Sequence, residues 1–391
     1  MRVFKCGPDF LDPQILEAAS GAPVENLDLW MCGADDGARR LAAAALEADL
    51  ILVEGVMGLH DGSPSSADIA LAFQLPVLAV IDAGAMAQTF GALALGLARY
   101  RPGLHLTGVL ANGVGSARHA ELLQGSLPDG IAWYGALARE PTARLPERHL
   151  GITQAAEIAD LDARLNALAA ALPAAADTLP PAITFATPEP SPLPRLLGGV
   201  RVAVARDAAF GFIYPANLTT LAALGADVVF FSPLAGEPVP QADALWLPGG
   251  YPELHAVQLA QNRVFWDSLH AHHAAGRPIL AECGGMLVLF DTLTDTAGKP
   301  HHMAGLLPGN AVLQKRLAGL GGQALALPQG ELRGHTFHYS RLDTPLTPAH
   351  HASTPDRRLG EAVYCTGRLT ASYVHAYFPS NPAAVAALLA P

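Results

Sequence analysis

Before residue 172 the apolar positions come in blocks, not in alternation. DLILVEG (49–55), PVLAVIDAG (76–84) and LTGVLANG (106–113) are short apolar runs that each end in an acid or amide followed by glycine. A strand apolar on both faces is buried on both, so these runs predict parallel strands with helices above and below. GARRLAAAALEA and QTFGALALGLARY lie between them and have the composition of crossover helices. Strand–helix alternation of this kind predicts an α/β unit with a parallel sheet.

Between residues 172 and 199 neither period survives. Prolines at 173, 180, 181, 188, 190, 192 and 194 remove amide donors and fix φ, which favours an extended connector. The expected division is a domain at 1–172, a Pro/Ala-rich linker at 173–199 and a domain at 200–391, with the boundary near Arg195. Beyond it GVRVAVARD, DVVFFSP, ADALWLPGG, GRPILAECGG and LTASYVHAYF predict strands, and 214–224 and 255–274 predict helices. Ligands of such sheets bind outside the carboxyl ends of the strands. Arg206-Asp207, Gly249-Gly250, Glu282-Cys283-Gly284-Gly285 and His375 all fall at such ends.

Composition narrows the function. Lys and Arg total 24 against 35 Asp and Glu, a net charge of −11, with no basic cluster to hold a phosphate backbone. The four cysteines form no CxxC pair, which fits free thiols in a reducing compartment. Arg2, Lys5 and Asp9 interrupt any leader-like start, and Pro76, Asp82 and Gln88 interrupt the greasiest stretch, 75–100. The expectation is a cytoplasmic protein with no membrane span and no nucleic-acid partner.

The chemistry concentrates at Cys283. An apolar strand, PILAE, leads into it, and Gly284-Gly285 and MLVLF follow. A nucleophile on a strand-to-helix turn needs small neighbours so that backbone and substrate can approach. The helix expected after it would lower the thiol pKa. His375 is the candidate base for Cys283, and backbone amides at Gly250 and Gly284 are candidate oxyanion donors.

Together VAVARDAAFGFIYPANL, ALWLPGGYPEL, ILAECGGMLVL, RGHTFHYSRL and ASYVHAYF resemble a class I glutamine amidotransferase domain. More narrowly, they resemble the glutaminase half of the cobyrinic acid a,c-diamide synthase family. The resemblance implies that Cys283 attacks the glutamine amide with His375 as its base, forming a γ-glutamyl thioester and releasing ammonia. One departure stands out: the wider class carries His-x-Glu, whereas Ala376 and Tyr377 follow His375 here, so an orienting acid is dispensable or comes from elsewhere.

The N-terminal half is similar to the synthetase domain of the same family through FKCGPDFLDP (4–13), NLDLWM (26–31) and VEGVMGLHDG (53–62). A carboxylate resists ammonia until ATP converts it to an acyl phosphate, with Mg²⁺ neutralising phosphate charge. The resemblance implies that Lys5, Asp9, Asp12, Glu54 and Asp61 serve this activation, with Glu54 and Asp61 as Mg²⁺ ligands. Turn acids are more often simply solvated. No G-x-x-x-x-G-K-[ST] occurs in the chain. The family places that loop before the FK-GPD segment, so the expectation is a start upstream of Met1, and here a sheet short of one strand with an unpaired edge.

The fold implied is two parallel-sheet α/β domains: an N-terminally truncated P-loop (dethiobiotin-synthetase-like) domain and a class I glutamine amidotransferase (flavodoxin-like) domain. Arg206, Asp207, Phe210, Phe212 and Tyr214 read as a surface for a tetrapyrrole or, equally, as core packing. His335 and His338 are placed near substrate by the resemblance. The adjacent histidine pairs at 272–273, 301–302 and 350–351 lack zinc spacing. The function implied is ATP- and glutamine-dependent amidation of the a and c carboxylates of cobyrinate in cobalamin biosynthesis, with ammonia carried inside the protein. The partners are ATP with Mg²⁺, L-glutamine and a corrinoid macrocycle, and a homodimer is one expected assembly. Hydrogenobyrinate or a nickel-sirohydrochlorin as substrate, a stand-alone glutaminase and a non-synthetic P-loop relative stay open as alternatives.

Overall fold

The computed structural model describes residues 1–148, 151–173, 178–186 and 192–391. Residues 174–177 and 187–191 of the expected linker lie outside the described residues. The chain divides into two compact units: Met1–Leu29 with Ala34–Pro188, and Trp30–Gly33 with Glu189–Pro391.

The first unit contains β1 (Arg2–Cys6), β2 (Glu25–Leu27), β3 (Ile51–Glu54), β4 (Val77–Asp82), β5 (Leu106–Val114) and β6 (Ala132–Ala138), then a short hairpin of β7 (Glu147–Arg148) and β8 (Gly151–Ile152). The three apolar runs are β3, β4 and β5. They do not form one sheet, however: the parallel orders are β2-β1-β3 and β4-β5-β6. Among the described residues β3 and β4 are therefore edge strands. Their alternate side chains stay open, with Leu52 and Leu78 exposed and Val80 62% exposed, so burial on both faces is not realised there. The helix Ala34–Glu47 turns Leu41 and Ala44 onto Phe4, Cys6 and Leu27, and the helix Thr89–Arg99 turns Phe90 and Ala94 onto Ile81, Val109 and Ala111.

The second unit begins with β9 (Arg201–Ala205), β10 (Asp227–Phe231), β11 (Ala244–Leu247) and β12 (Ile279–Glu282). Then come β13 (Phe290–Thr294), β14 (Pro300–His302), β15 (Leu307–Leu313), β16 (Gly319–Leu327), β17 (Gly330–His338) and β18 (Ser340–Asp343). The last four are β19 (His350–Ser353), β20 (Leu359–Thr366), β21 (Leu369–Ser372) and β22 (His375–Ala376). The main sheet runs β10-β9-β11-β12-β21-β20-β19-β16-β17-β22. Its first five strands are parallel and the rest pair antiparallel, so the expected parallel-sheet domain is in fact mixed. Strands β14-β13-β15-β18 form a smaller sheet.

Two local expectations also fail for identifiable reasons. MLVLF continues as helix only to Leu287, because Phe290–Thr294 pairs into the smaller sheet. The single helix expected over 255–274 is two, Ala256–Gln261 and Arg263–Ala274, because Asn262 caps the second through a bond from the Phe265 N–H.

LTASYVHAYF is likewise two strands, with β21 at one end of the run β21-β20-β19-β16-β17-β22 and β22 at the other. Three residue steps separate Ser372 from His375, a reach of about 10 Å at full extension. The antiparallel half must therefore curl until its last strand returns beside its first. This curl carries His375 back towards β12.

Helices cover both faces of the parallel half. Leu259, Phe265 and Leu269 pack with Leu245, Ile279 and Met286 on one side. Leu221, Val385 and Leu389 pack with Val204, Trp246 and Leu280 on the other. Truncating the fully buried Phe265 to Ala should cost about 3–5 kcal/mol. Val80→Thr, on the open row of β4, should change stability by less than about 0.5 kcal/mol. Urea midpoints at constant slope would measure both.

Candidate active site

Cys283 leaves β12 with φ +44° and ψ −111°, a left-handed conformation that a non-glycine residue adopts only where its surroundings enforce it. Its N–H donates to the Ser372 carbonyl (2.8 Å), and its carbonyl accepts the N–H groups of Met286 and Leu287 (2.9 Å each). The sulfur thus sits on a turn pinned at both ends, as the pattern PILAECGG predicts.

The glycines around it are dictated by close approach. A Cβ at Gly285 would overlap the Leu247 carbonyl, and one at Gly284 would lie 2.8 Å from the Gly250 carbonyl. A Cβ at Gly249 would overlap the His375 ring. The Gly249-Gly250 turn after β11 is therefore flanked by Gly284, next to Cys283, on one side and by the His375 imidazole on the other. Phe212 closes a third side: its N–H donates to the Gly249 carbonyl (3.0 Å), and its ring lies 4.9 Å from Tyr251 and 5.9 Å from His375. The backbone at Gly250 and Gly284 borders the turn that carries the sulfur.

The electrostatics differ from the expected thiolate. Burial pushes the Cys283 thiol well above its ordinary value, and the nearby acids Glu253, Glu361 and Glu282 push the same way. The Gly284 N–H opposes them, but the following helix, Gly284–Leu287, is a single turn and brings little dipole to bear. Burial likewise pushes His375 down to about 3, with His335 and His338 adding to the effect. The resting pair is a neutral thiol and a neutral imidazole. Glu253, buried in the turn after the glycines, is pushed up to about 7 by burial.

Several residues expected at a substrate surface are otherwise engaged. Tyr214 is buried against Tyr377, with ring centroids 5.7 Å apart, and Phe210 is wholly buried. They are core, because the helix Pro215–Ala223 turns this segment inward. The Asp207 carboxylate accepts the Ala209 N–H, the Ser232 hydroxyl and the Leu234 N–H, each at 2.9 Å, and so organises loops. The Arg206 guanidinium lies 4.1 Å over the Phe230 ring and stays exposed. Both ring nitrogens of His338 face oxygen acceptors, the Ser340 carbonyl (2.9 Å) and Glu361 (3.0 Å), and its ring stacks on Tyr373 at 3.5 Å. His335 lies opposite His375 in the ladder and is pushed down to about 4 by desolvation.

In the first unit Lys5 is the hub. Its ammonium lies 2.7 Å from Asp12, 3.4 Å from Glu54 and 3.1 Å from the Gly55 carbonyl. Burial pushes Asp9 up to about 6, with Asp12 adding. Lys5, Asp9, Asp12 and Glu54 thus gather at the carboxyl ends of β1 and β3, whereas the exposed Asp61 accepts the Gly58 N–H of its own turn (3.0 Å). Among the described residues no three acids, histidines or cysteines converge as a metal cage. Mg²⁺, however, takes one or two protein carboxylates and completes its shell from phosphates and water. The hard oxygens of Glu54, its side chain 46% exposed, and of Asp61 fit that mode.

What the sequence reading missed is Glu282 and Glu253, acids that end buried beside the nucleophile. For Glu282 the available signal was an ionisable residue closing an otherwise apolar strand; Glu253, in the turn after the glycines, gave none.

Residues 201–383 match the model of the CobB/CobQ-like glutamine amidotransferase domain. A hydrogenobyrinate a,c-diamide synthase of Stutzerimonas stutzeri is 60% identical over 393 residues, covering 100% of this chain and 91% of its own. The enzyme of the same description from Pseudomonas aeruginosa is 59% identical, with 100% and 90% covered. A cobyrinate a,c-diamide synthase of Herminiimonas arsenicoxydans is 50% identical over 396 residues, again with 100% and 90% covered. Likeness at this level runs through both units, and the chain belongs to the family of hydrogenobyrinate and cobyrinate a,c-diamide synthases.

Proposed function

We propose that this protein amidates the a and c side-chain carboxylates of a corrin ring in cobalamin biosynthesis, using ATP and glutamine-derived ammonia. Full-length identity to named a,c-diamide synthases carries the reading. Cobyrinate is the substrate inferred from the sequence. The two relatives at 60% and 59% identity carry the name of its metal-free counterpart, hydrogenobyrinate, which supports that ring as the second reading. Incubating each macrocycle with ATP and glutamine, and following acid-to-amide conversion by product mass, distinguishes them.

In this reading glutamine docks with its γ-carbonyl carbon at the Cys283 sulfur. The thiol proton passes to neutral His375 as the C–S bond forms, and the amides of Gly250 and Gly284 stabilise the oxyanion. His375 returns the proton to the leaving nitrogen, ammonia departs, and water then cleaves the γ-glutamyl thioester. Because the resting thiol is protonated, proton transfer belongs to the reaction and not to a standing ion pair.

In the first unit Lys5 steadies the phosphate and carboxylate oxygens while Asp12 and Glu54 hold the ammonium in place and Asp9 accepts the Leu11 N–H of the loop beside them. Glu54 and Asp61 would hold Mg²⁺, which when bound neutralises charge on the transferring phosphoryl group. The activated carboxylate is an acyl phosphate, and ammonia displaces phosphate from it.

Cys283→Ala should lower glutamine-dependent amidation by at least about 10³-fold while amidation from added ammonium at alkaline pH persists. Unchanged glutamine-dependent turnover would defeat the mechanism. Alkylation of Cys283 by iodoacetamide without glutamine should speed up about tenfold per pH unit between about pH 7 and 9, because the thiolate fraction grows tenfold per unit below the pKa. A plateau already at neutral pH would reveal a pre-formed thiolate.

A further inference from the structure

We propose that Glu282 is the positioning residue that replaces the missing His-x-Glu acid, acting through the backbone next to His375 and not through the imidazole. Glu282 is 2% exposed. One carboxylate oxygen accepts the Ala376 N–H at 2.9 Å, and the other accepts the Trp246 indole N–H at 3.0 Å. Asn217, equally buried, grips the other side of the same residue. Its side-chain amide donates to the Ala376 carbonyl (2.8 Å) and accepts the Phe378 N–H (2.7 Å). Both backbone groups of Ala376 are thus held by side chains from two different elements.

This clamp matters because β22 is only two residues long, paired to β17 through His335↔His375 and Gly334↔Ala376. Fixing the Ala376 peptide plane fixes the direction in which the preceding residue, His375, projects. Glu282 is also the neighbour of Cys283, so one carboxylate ties the strand bearing the nucleophile to the strand bearing its base. An acid is needed on chemical grounds. Both partners are donors, and a carboxyl group keeps an acceptor lone pair at each oxygen whether or not it carries its proton, whereas a glutamine would turn its NH₂ towards one of them. Burial pushes Glu282 up to about 8, and the two N–H donors pull the other way.

The proposal rests on the glutaminase reading and deepens it, and the test separates the two. Glutamine hydrolysis by the full chain should show kcat for Glu282→Gln lowered by about 10²-fold, the cost of a displaced base, with KM for glutamine changed less than about threefold. Adding Trp246→Phe removes the donor that opposes the NH₂ group, so Glu282→Gln/Trp246→Phe should recover at least about tenfold in kcat over Glu282→Gln alone. Wild-type kcat in Glu282→Gln, or a loss that Trp246→Phe leaves untouched, overturns the proposal. Should Glu282→Gln fail to fold by circular dichroism, Asn217→Asp carries the test: it sets an acceptor against the Ala376 carbonyl and should lower kcat at unchanged KM. Wild-type kcat there would equally overturn it. If the underlying glutaminase reading is wrong, wild type and Cys283→Ala behave alike, an outcome distinct from all of these.

Discussion

Three stretches of main chain meet around Cys283 at distances no side chain could tolerate, and the rest of the site follows from that crowding. The carbonyl ending β11 touches Gly285, the turn after it touches Gly284, and the His375 ring lies on Gly249. A methyl group at any of these positions would push apart the strand ends that bring sulfur, imidazole and backbone amides together. The left-handed turn at Cys283 is tolerated because bonds to Ser372, Met286 and Leu287 hold it from both sides. Strain at one residue is offset by ordinary hydrogen bonds at its neighbours.

Dryness is the second consequence. Close packing excludes water, and in that environment charge is disfavoured on every group. Cys283, His375, Glu253 and Glu282 all shift towards their neutral forms. Such a site stays quiet until a substrate brings its own polar groups, which fits an enzyme whose nucleophile should not react with passing electrophiles. The Lys5 cluster of the first unit works differently. It keeps a charged ammonium among carboxylates, with Asp12 and Glu54 holding the lysine above its ordinary value against the pull of burial.

How much of this was legible beforehand depended on how local the cause was. Strands β5, β9, β11 and β12 could be read because burial writes itself into consecutive apolar positions, and β3 and β4 because they carry the same apolar runs even though alternate side chains stay open. Gly249-Gly250 and Gly284-Gly285 could be read because close approach leaves no alternative residue. The antiparallel half was not read as a sheet, since β16 and β17 mix glycines, histidines and leucines, and the alternating burial along β17 falls on Leu332, Gly334, Thr336 and His338, residue types that share no hydropathy. Nor could the division of LTASYVHAYF into β21 and β22 be read, because partners far along the chain decide it. Tyr214 read equally as ligand surface and as core, because an aromatic residue gives the same letter whether it faces in or out. The thiol shift was misjudged because the sequence showed a helix to come but neither the burial of the sulfur, which dominates the shift, nor that the helix would last one turn. Asp61 resembled Glu54 on paper, yet Glu54 pairs with Lys5 whereas one of the two Asp61 oxygens closes its own turn and leaves the other open.

The link between Ser372 and His375 carries a last implication, for how this chain can vary. Only Tyr373 and Val374 lie between the two strands, and side chains alternate faces with every residue. A single insertion or deletion there would not merely stretch the connection; it would reverse parity and send the imidazole to the opposite surface of the sheet. Geometry fixes the number of those two residues, and packing constrains their identities as well: Tyr373 stacks on His338 and shares a hydrogen bond with Ser340, and Val374 is buried in the core.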